Sequence, residues 1–169
     1  MASYKRVKKM DETPRILVVD DDENIRKVLV AILEDEGYNV ESVGTAKEAV
    51  ERTRKNYYNL ALIDIRLPDM EGIELLTKIK DTTPKIRKVI ITGYPTLQNA
   101  VDAVNRGANA YILKPFDIGK VLKTLKEQLQ KQEEEKKYSQ NKVAEFIETR
   151  VKELEYEKTI VHEKGRKPS

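Results

Sequence analysis

The sequence predicts a doubly wound α/β fold: a five-stranded parallel sheet covered by helices on both faces, followed by a long C-terminal helix. Three observations predict it. From residue 15 to residue 130, short β-branched runs alternate with segments of helical periodicity, five times over. Acidic and other polar residues stand where the strands should end, the rim at which such sheets bind ligands. Neither glycine nor proline interrupts the stretch from Lys120 to Lys164, so nothing local stops the last helix.

The first strand is RILVV at 15–19, and Ile25, Val28, Leu29, Ile32 and Leu33 then line one face of a helix that Gly37 ends. The second strand is YNVESV at 38–43; Thr45 and Glu48 form a capping box that opens a helix reaching about Arg54. LALI at 60–63 is a continuous apolar run of the kind buried on both faces, and it leads through DIRLPDMEG to a helix bearing Ile73, Leu76 and Ile79. KVII at 88–91 leads through TGYP to a helix with Leu97, Ala100, Val101 and Val104, which Gly107 closes. The fifth strand is AYIL at 110–113; Lys114, Pro115 and Phe116 turn the chain into a helix begun by Ile118, Val121, Leu122, Leu125 and Leu129.

Beyond Gln130 the apolar residues thin out. Tyr138 is the one large apolar group before Lys142, and Val143, Ile147, Leu154 and Val161 are weak packing positions. Arg150 and Glu157 fall where a heptad seam needs apolar groups, so a charged, solvated helix is expected in place of a coiled coil. The expected organisation is a flexible tail at 1–13, a compact domain at 14–130, and a charged helical extension with a flexible end at 131–169.

Composition narrows the function classes. A chain of 169 residues that is 39% hydrophobic and 36% charged has one sizeable core and a heavily solvated part. The formal charge of +3 is spread thinly: four basic and two acidic groups at 1–13, nineteen and eighteen at 14–131, nine and nine at 132–169. That is no concentrated basic face, so nucleic acid is not expected as a partner. With no cysteine and one histidine, His162, neither a thiolate nor a histidine metal site is available. The longest apolar runs, such as ILVV at 16–19, are too short to span a bilayer, and no signal-type run opens the chain, so no membrane association and a cytoplasmic location are expected.

The chemistry lies at the strand ends. Asp20, Asp21 and Asp22 follow the first strand, Asp64 the third, Thr92 the fourth and Lys114 the fifth, and all should converge on one rim. Carboxylates forced together stay ionised only around a cation, and oxygen-only ligands suit Mg2+. A carboxylate beside such a metal attacks a phosphoryl group in line, provided the metal, a hydroxyl and an ammonium meet the charge on the equatorial oxygens. Asp64, Thr92 and Lys114 supply those parts. Asp22 and Glu23 lead into the first helix, where negative charge complements the dipole, and are kept out of the metal shell.

VVDDDENIRKVL, LIDIRLPDMEG, IITGYPT and YILKPF resemble the signature segments of the receiver domain of two-component response regulators. The resemblance covers about residues 14 to 130 and implies a flavodoxin-like sheet in the order 2-1-3-4-5. It implies that Asp64 is the phosphoacceptor, that Asp20 and Asp21 are the acidic pair with Asp21 the closer ligand, and that the backbone carbonyl of Arg66 completes the protein share of the magnesium shell. By the same resemblance Thr92 is the switch hydroxyl, Tyr111 the switch aromatic, and Lys114 the lysine that pairs with the phosphoryl group or with Asp64. A cis peptide before Pro115 is also implied. Arg66 and Tyr94 hold positions where the family tunes loss of the phosphoryl group to water.

The implied partners are a sensor histidine kinase and a downstream target or phosphotransfer protein, with a homodimer through the face of the fourth helix, fifth strand and fifth helix, or through the C-terminal helix. The chain would catalyse only its own phosphorylation and dephosphorylation and is not otherwise expected to be an enzyme. Residues 132–169 show no helix-turn-helix, zinc or enzyme pattern, so a stand-alone receiver is expected. Two other phosphoryl chemistries lack their motifs: no Asp-x-Asp-x-Thr follows the first strand, and no GxxxxGK[ST] occurs. A non-catalytic docking module built on the same fold is the alternative from a different class.

Overall fold

The computed structural model describes residues 13–165. The expected N-terminal tail, apart from Thr13, and residues 166–169 lie outside the described residues. The elements are β1 (Arg15–Val19), α1 (Glu23–Asp35), β2 (Asn39–Val43), α2 (Ala46–Lys55), β3 (Leu60–Asp64), α3 (Gly72–Lys78), β4 (Arg87–Thr92), α4 (Leu97–Asn105), β5 (Ala110–Leu113) and α5 (Ile118–Lys164). The strands pair in parallel in the order β2-β1-β3-β4-β5. The chain runs outward from β1 to β2 and then crosses back to β3, so the ends of β1 and β3 flank the point where the winding reverses.

Alternation along the strands splits the core in two. Ile16, Val18, Leu60, Leu62, Val89, Ile91 and Ile112 pack with Leu29 and Leu33 of α1 and Val121 and Leu125 of α5. Leu17, Val19, Ala61, Ile63 and Ile90 pack with Ala46 and Ala49 of α2, Leu75 and Leu76 of α3, and Ala103 of α4. Both layers are apolar and buried, which is why the central strands read as unbroken apolar runs.

Element ends differ from the sequence expectation by single residues, each for a local reason. β2 starts at Asn39 because Tyr38 still belongs to the termination of α1: Gly37, at φ 93°, donates to Glu34, and Tyr38 donates to Leu33. β3 runs one residue further and β4 one further at each end, since Leu60 pairs with Arg87, Asp64 with Ile91 and Thr92 with Leu113. Two candidate site residues therefore stand on the sheet itself, where the ladder fixes their backbone. At α2, the Thr45 hydroxyl accepts from Glu48 N–H as a capping box requires, but the Glu48 carboxylate receives the N–H of Gly44, one residue earlier than the motif specifies.

The opposite end of the sheet is closed by amides. Asn59, before β3, accepts the N–H of Arg15 through its side chain, and Asn109, before β5, does the same for Lys88. Gln132 of α5, 3% exposed, donates to the carbonyls of Asn59 at 2.9 Å and Lys85 at 2.8 Å, and accepts from the Asn59 side-chain amide at 3.2 Å. Gln128 donates to the carbonyl of Asn109 at 3.3 Å.

Gln132 ends one compact unit of the chain and Glu133 begins a second, formed by the remainder of α5. In that second unit every described residue except Ile160 is exposed, including Val143, Ile147, Leu154 and Val161. Pairs such as Arg150 with Glu153 at 2.9 Å and Lys152 with Glu148 at 3.0 Å support the helix by a few tenths of a kcal/mol each, ~0.2–0.5. Among the described residues no helix is long and apolar enough to cross a membrane.

Glu41 of β2 sits among Arg15 at 3.1 Å, Arg52 at 3.4 Å and the Tyr58 hydroxyl, which donates to it. That hydrogen bond, with the two arginines, holds the Glu41 carboxyl below its usual value although burial opposes them. Burial, with the bond to Glu41, pushes the Tyr58 phenol up to about 12. A depressed carboxyl pKa contributes stability that is present above the unfolded value, about 4.3, and lost as pH falls through the folded one. Glu41→Gln is therefore expected to be less stable than the native protein at pH 7 and to converge with it on acidification, as read from urea midpoints across pH 2–7.

Candidate functional site

Four strand ends and their loops build the site. At the end of β1, Asp20 is 1% exposed; its N–H donates to the carbonyl of Val43, and its own carbonyl receives the Arg26 guanidinium at 2.6 Å. Its side-chain Oδ1 receives the N–H of Asp22 at 2.9 Å. Asp22 turns away to cap α1, accepting from the N–H groups of Asn24 and Ile25, as its place before a helix predicts. Asp21 stays exposed at the surface between them.

Asp64, the last residue of β3, is 7% exposed. Its position depends on Gly72, the first residue of α3: a Cβ there would overlap the Asp64 carbonyl oxygen and crowd the Ile63 side chain. The loop between them closes on itself through Gly72 N–H to the Ile65 carbonyl at 2.6 Å and a bridge between Arg66 and Glu71. The N–H of Arg66 also points to Asp64 Oδ1 at 3.4 Å.

Lys114 follows β5. Its N–H donates to the Thr92 carbonyl at 2.7 Å, and the Lys114-Pro115 peptide is cis, as the resemblance implied; Thr83-Pro84 is cis as well, with no sequence signal beyond the proline itself. The Lys114 ammonium, 17% exposed, lies 2.8 Å from Asp20 Oδ2 and 3.2 Å from Asp64 Oδ2. Burial and the Asp20 charge raise the Asp64 carboxyl above the ordinary range, and Lys114 opposes them. For Lys114 burial works against the charge, but Asp20 and Asp64 outweigh it and lift the ammonium above its usual value.

Oxygen atoms of Asp20, Asp21 and Asp64 all lie within 4.8 Å of one another. An all-oxygen donor set of this charge suits a hard divalent cation such as Mg2+, which binds carboxylate oxygens at about 2.1 Å. The residues present fit such an ion.

Thr92 is fully buried at the end of β4, and its Oγ1 accepts the N–H of Tyr94 at 3.0 Å, which leaves its hydroxyl proton to donate elsewhere. Tyr111 of β5 packs on the core beside α4, and among the described residues its buried hydroxyl has no hydrogen-bond partner. Across the mouth, the Arg66 guanidinium stacks on the Tyr94 ring, 3.4 Å from its centroid. Asp20, Asp21, Asp64, Thr92, Lys114 and Arg66 thus all occur on one rim, with Tyr111 beneath it.

Three contributors had little or no signal in the sequence: Arg26, one turn into α1; Gly72, a loop glycine with no visible reason; and Asp69, whose two carboxylate oxygens receive the N–H groups of Ala46 and Lys47 at 2.9 and 2.8 Å. Gly72→Ala is expected to lower stability by about 1–3 kcal/mol, the usual range for overpacking. Urea unfolding measures that cost, and backbone resonances of Ile63 to Arg66 should move with it.

The family model described as the response regulator receiver domain matches residues 16–126. The transcriptional regulatory protein ZraR of Klebsiella oxytoca is 41% identical over 114 residues, covering 68% of this chain and 26% of that protein. The chain thus matches about a quarter of the length of this curated relative. Among solved structures, a CheY-like response regulator receiver domain protein from Methanospirillum hungatei JF-1 aligns at TM-score 0.71 and 47% identity, over 73% of this chain and 99% of that one. A beryllofluoride-activated NtrC4 receiver domain dimer aligns at TM-score 0.66 and 34% identity, over 70% and 98%.

Proposed function

Because the chain belongs to the response regulator receiver domain family, we propose that it takes a phosphoryl group from a histidine kinase, or from a small acyl phosphate, onto Asp64. The observation that carries this reading is the placement of Asp64 Oδ2 3.2 Å from Lys114, with oxygens of Asp20 and Asp21 within 4.8 Å. Asp20, Asp21 and Asp64, with the backbone carbonyl of Arg66, would hold Mg2+. When bound, that ion neutralises charge on the transferring phosphoryl oxygens.

The chain's own groups do the rest. Asp64 forms the bond to phosphorus as the bond to the leaving imidazole or carboxylate breaks, leaving an acyl phosphate on the β3 end. Lys114 meets one phosphoryl oxygen, and the Thr92 hydroxyl, free to donate, meets another. Pulling Thr92 toward the phosphoryl group vacates space that Tyr111 enters, and among the described residues no hydrogen bond to the Tyr111 hydroxyl would resist the move. The face of α4, β5 and α5 then changes, and with it the binding of a downstream target, a phosphotransfer protein or a second copy. That face already exposes Leu97 at 84%, Val104 at 68% and Ile118 at 49%, which suits a protein partner. The chain catalyses nothing beyond its own phosphorylation and dephosphorylation, and its setting is the cytoplasm, where such kinases deliver phosphoryl groups.

Incubation with acetyl phosphate and Mg2+ should add one phosphoryl group by intact mass; chelation of the metal or Asp64→Ala should abolish it. An unmodified native protein would favour a docking module over a phosphorylated switch. The stacked Arg66 and Tyr94 shield the acyl phosphate from water, so Arg66→Ala should shorten its lifetime several-fold, on the order of 1 kcal/mol in the barrier to hydrolysis. Decay of phosphorylated protein after removal of acetyl phosphate measures it.

A further inference from the structure

We propose that Asp69 is a positioning residue for the cation site. Its carboxylate fastens the tip of the loop between β3 and α3 to the first turn of α2, and so holds the Arg66 peptide in place before any cation arrives. This rests on the magnesium reading above.

Both Asp69 oxygens are engaged, one by Ala46 N–H at 2.9 Å and the other by Lys47 N–H at 2.8 Å. These are orphan donors of a helix start, and a carboxylate there is favoured by the helix dipole. The cap comes from 22 and 23 residues away, so it is a tertiary tie and not a local capping motif. The local cap, Thr45, serves Glu48 N–H alone and leaves these two donors to Asp69. Its target is tied into the fold: Ala46 is fully buried, and Val43, three residues earlier, accepts the N–H of Asp20. The base of the same loop is closed by the Gly72 to Ile65 hydrogen bond and by the bridge between Arg66 and Glu71. Arg66 therefore lies between a closed base and a fastened tip. The acid in the middle of LPDME serves the backbone and is absent from the cluster of carboxylates able to share an ion.

Calorimetric titration of the full chain with MgCl2, and phosphorylation by acetyl phosphate across magnesium concentrations, test the proposal. Asp69→Ala should weaken magnesium binding on the order of tenfold, the usual lower cost of losing an outer partner of a metal ligand. It should raise the half-saturating magnesium concentration equally while leaving the rate at saturating magnesium unchanged. Asp69→Asn, which keeps one acceptor oxygen, should fall between. Thr45→Ala destabilises the same helix without touching the loop and should titrate like the native protein. Native magnesium affinity in Asp69→Ala, or an equal loss in Thr45→Ala, would overturn the inference alone. A native protein that binds no magnesium would overturn the site reading, and this inference with it.

Discussion

The Lys114 ammonium, 2.8 Å from one buried carboxylate and 3.2 Å from another, allows Asp20 and Asp64 to lie together at the end of the sheet. Burying a carboxylate without a partner costs several kcal/mol, and burying two side by side costs more. The Asp21 carboxylate adds a third oxygen donor to the same cluster. An all-oxygen donor set of this kind suits a hard divalent cation. The rest of the architecture serves to bring these ends together: parallel pairing aligns β1, β3, β4 and β5, and the Lys114 N–H bonded to the Thr92 carbonyl sets the height of the lysine.

The repeating strand and helix pattern was legible because each element is governed by its own periodicity. Gly37 and Gly107 end their helices in the left-handed conformation that their positions suggest. Asp64, Thr92 and Lys114 were legible for a topological reason: in a parallel sheet, whatever follows a strand arrives at one edge. Asp22 could likewise be set aside from the metal, since an acid next to a helix start has a capping role available, and the structure gives it that role.

What sequence alone did not reveal depends on partners far along the chain. Asp69 reaches a helix more than twenty residues back, Arg26 reaches a carbonyl rather than a charge, and Gln132 reaches a turn 73 residues away. Each is a polar side chain bonded to backbone, and backbone carries no residue-specific mark that a pattern search detects. The stack of Arg66 on Tyr94 joins loops after two different strands, so neither residue announces the other. The extra residues in β3 and β4 come from ladder pairing, which local propensity does not specify.

Within α5, Gln132 grips main-chain oxygen atoms of the segments that lead into β3 and β4. A hold of this kind is indifferent to side-chain chemistry and demanding about spacing. Residue 85 is free to drift among amino acids without loosening it, whereas an insertion or deletion ahead of β4 would carry the acceptor out of reach. That stretch of the molecule is constrained in length more than in composition.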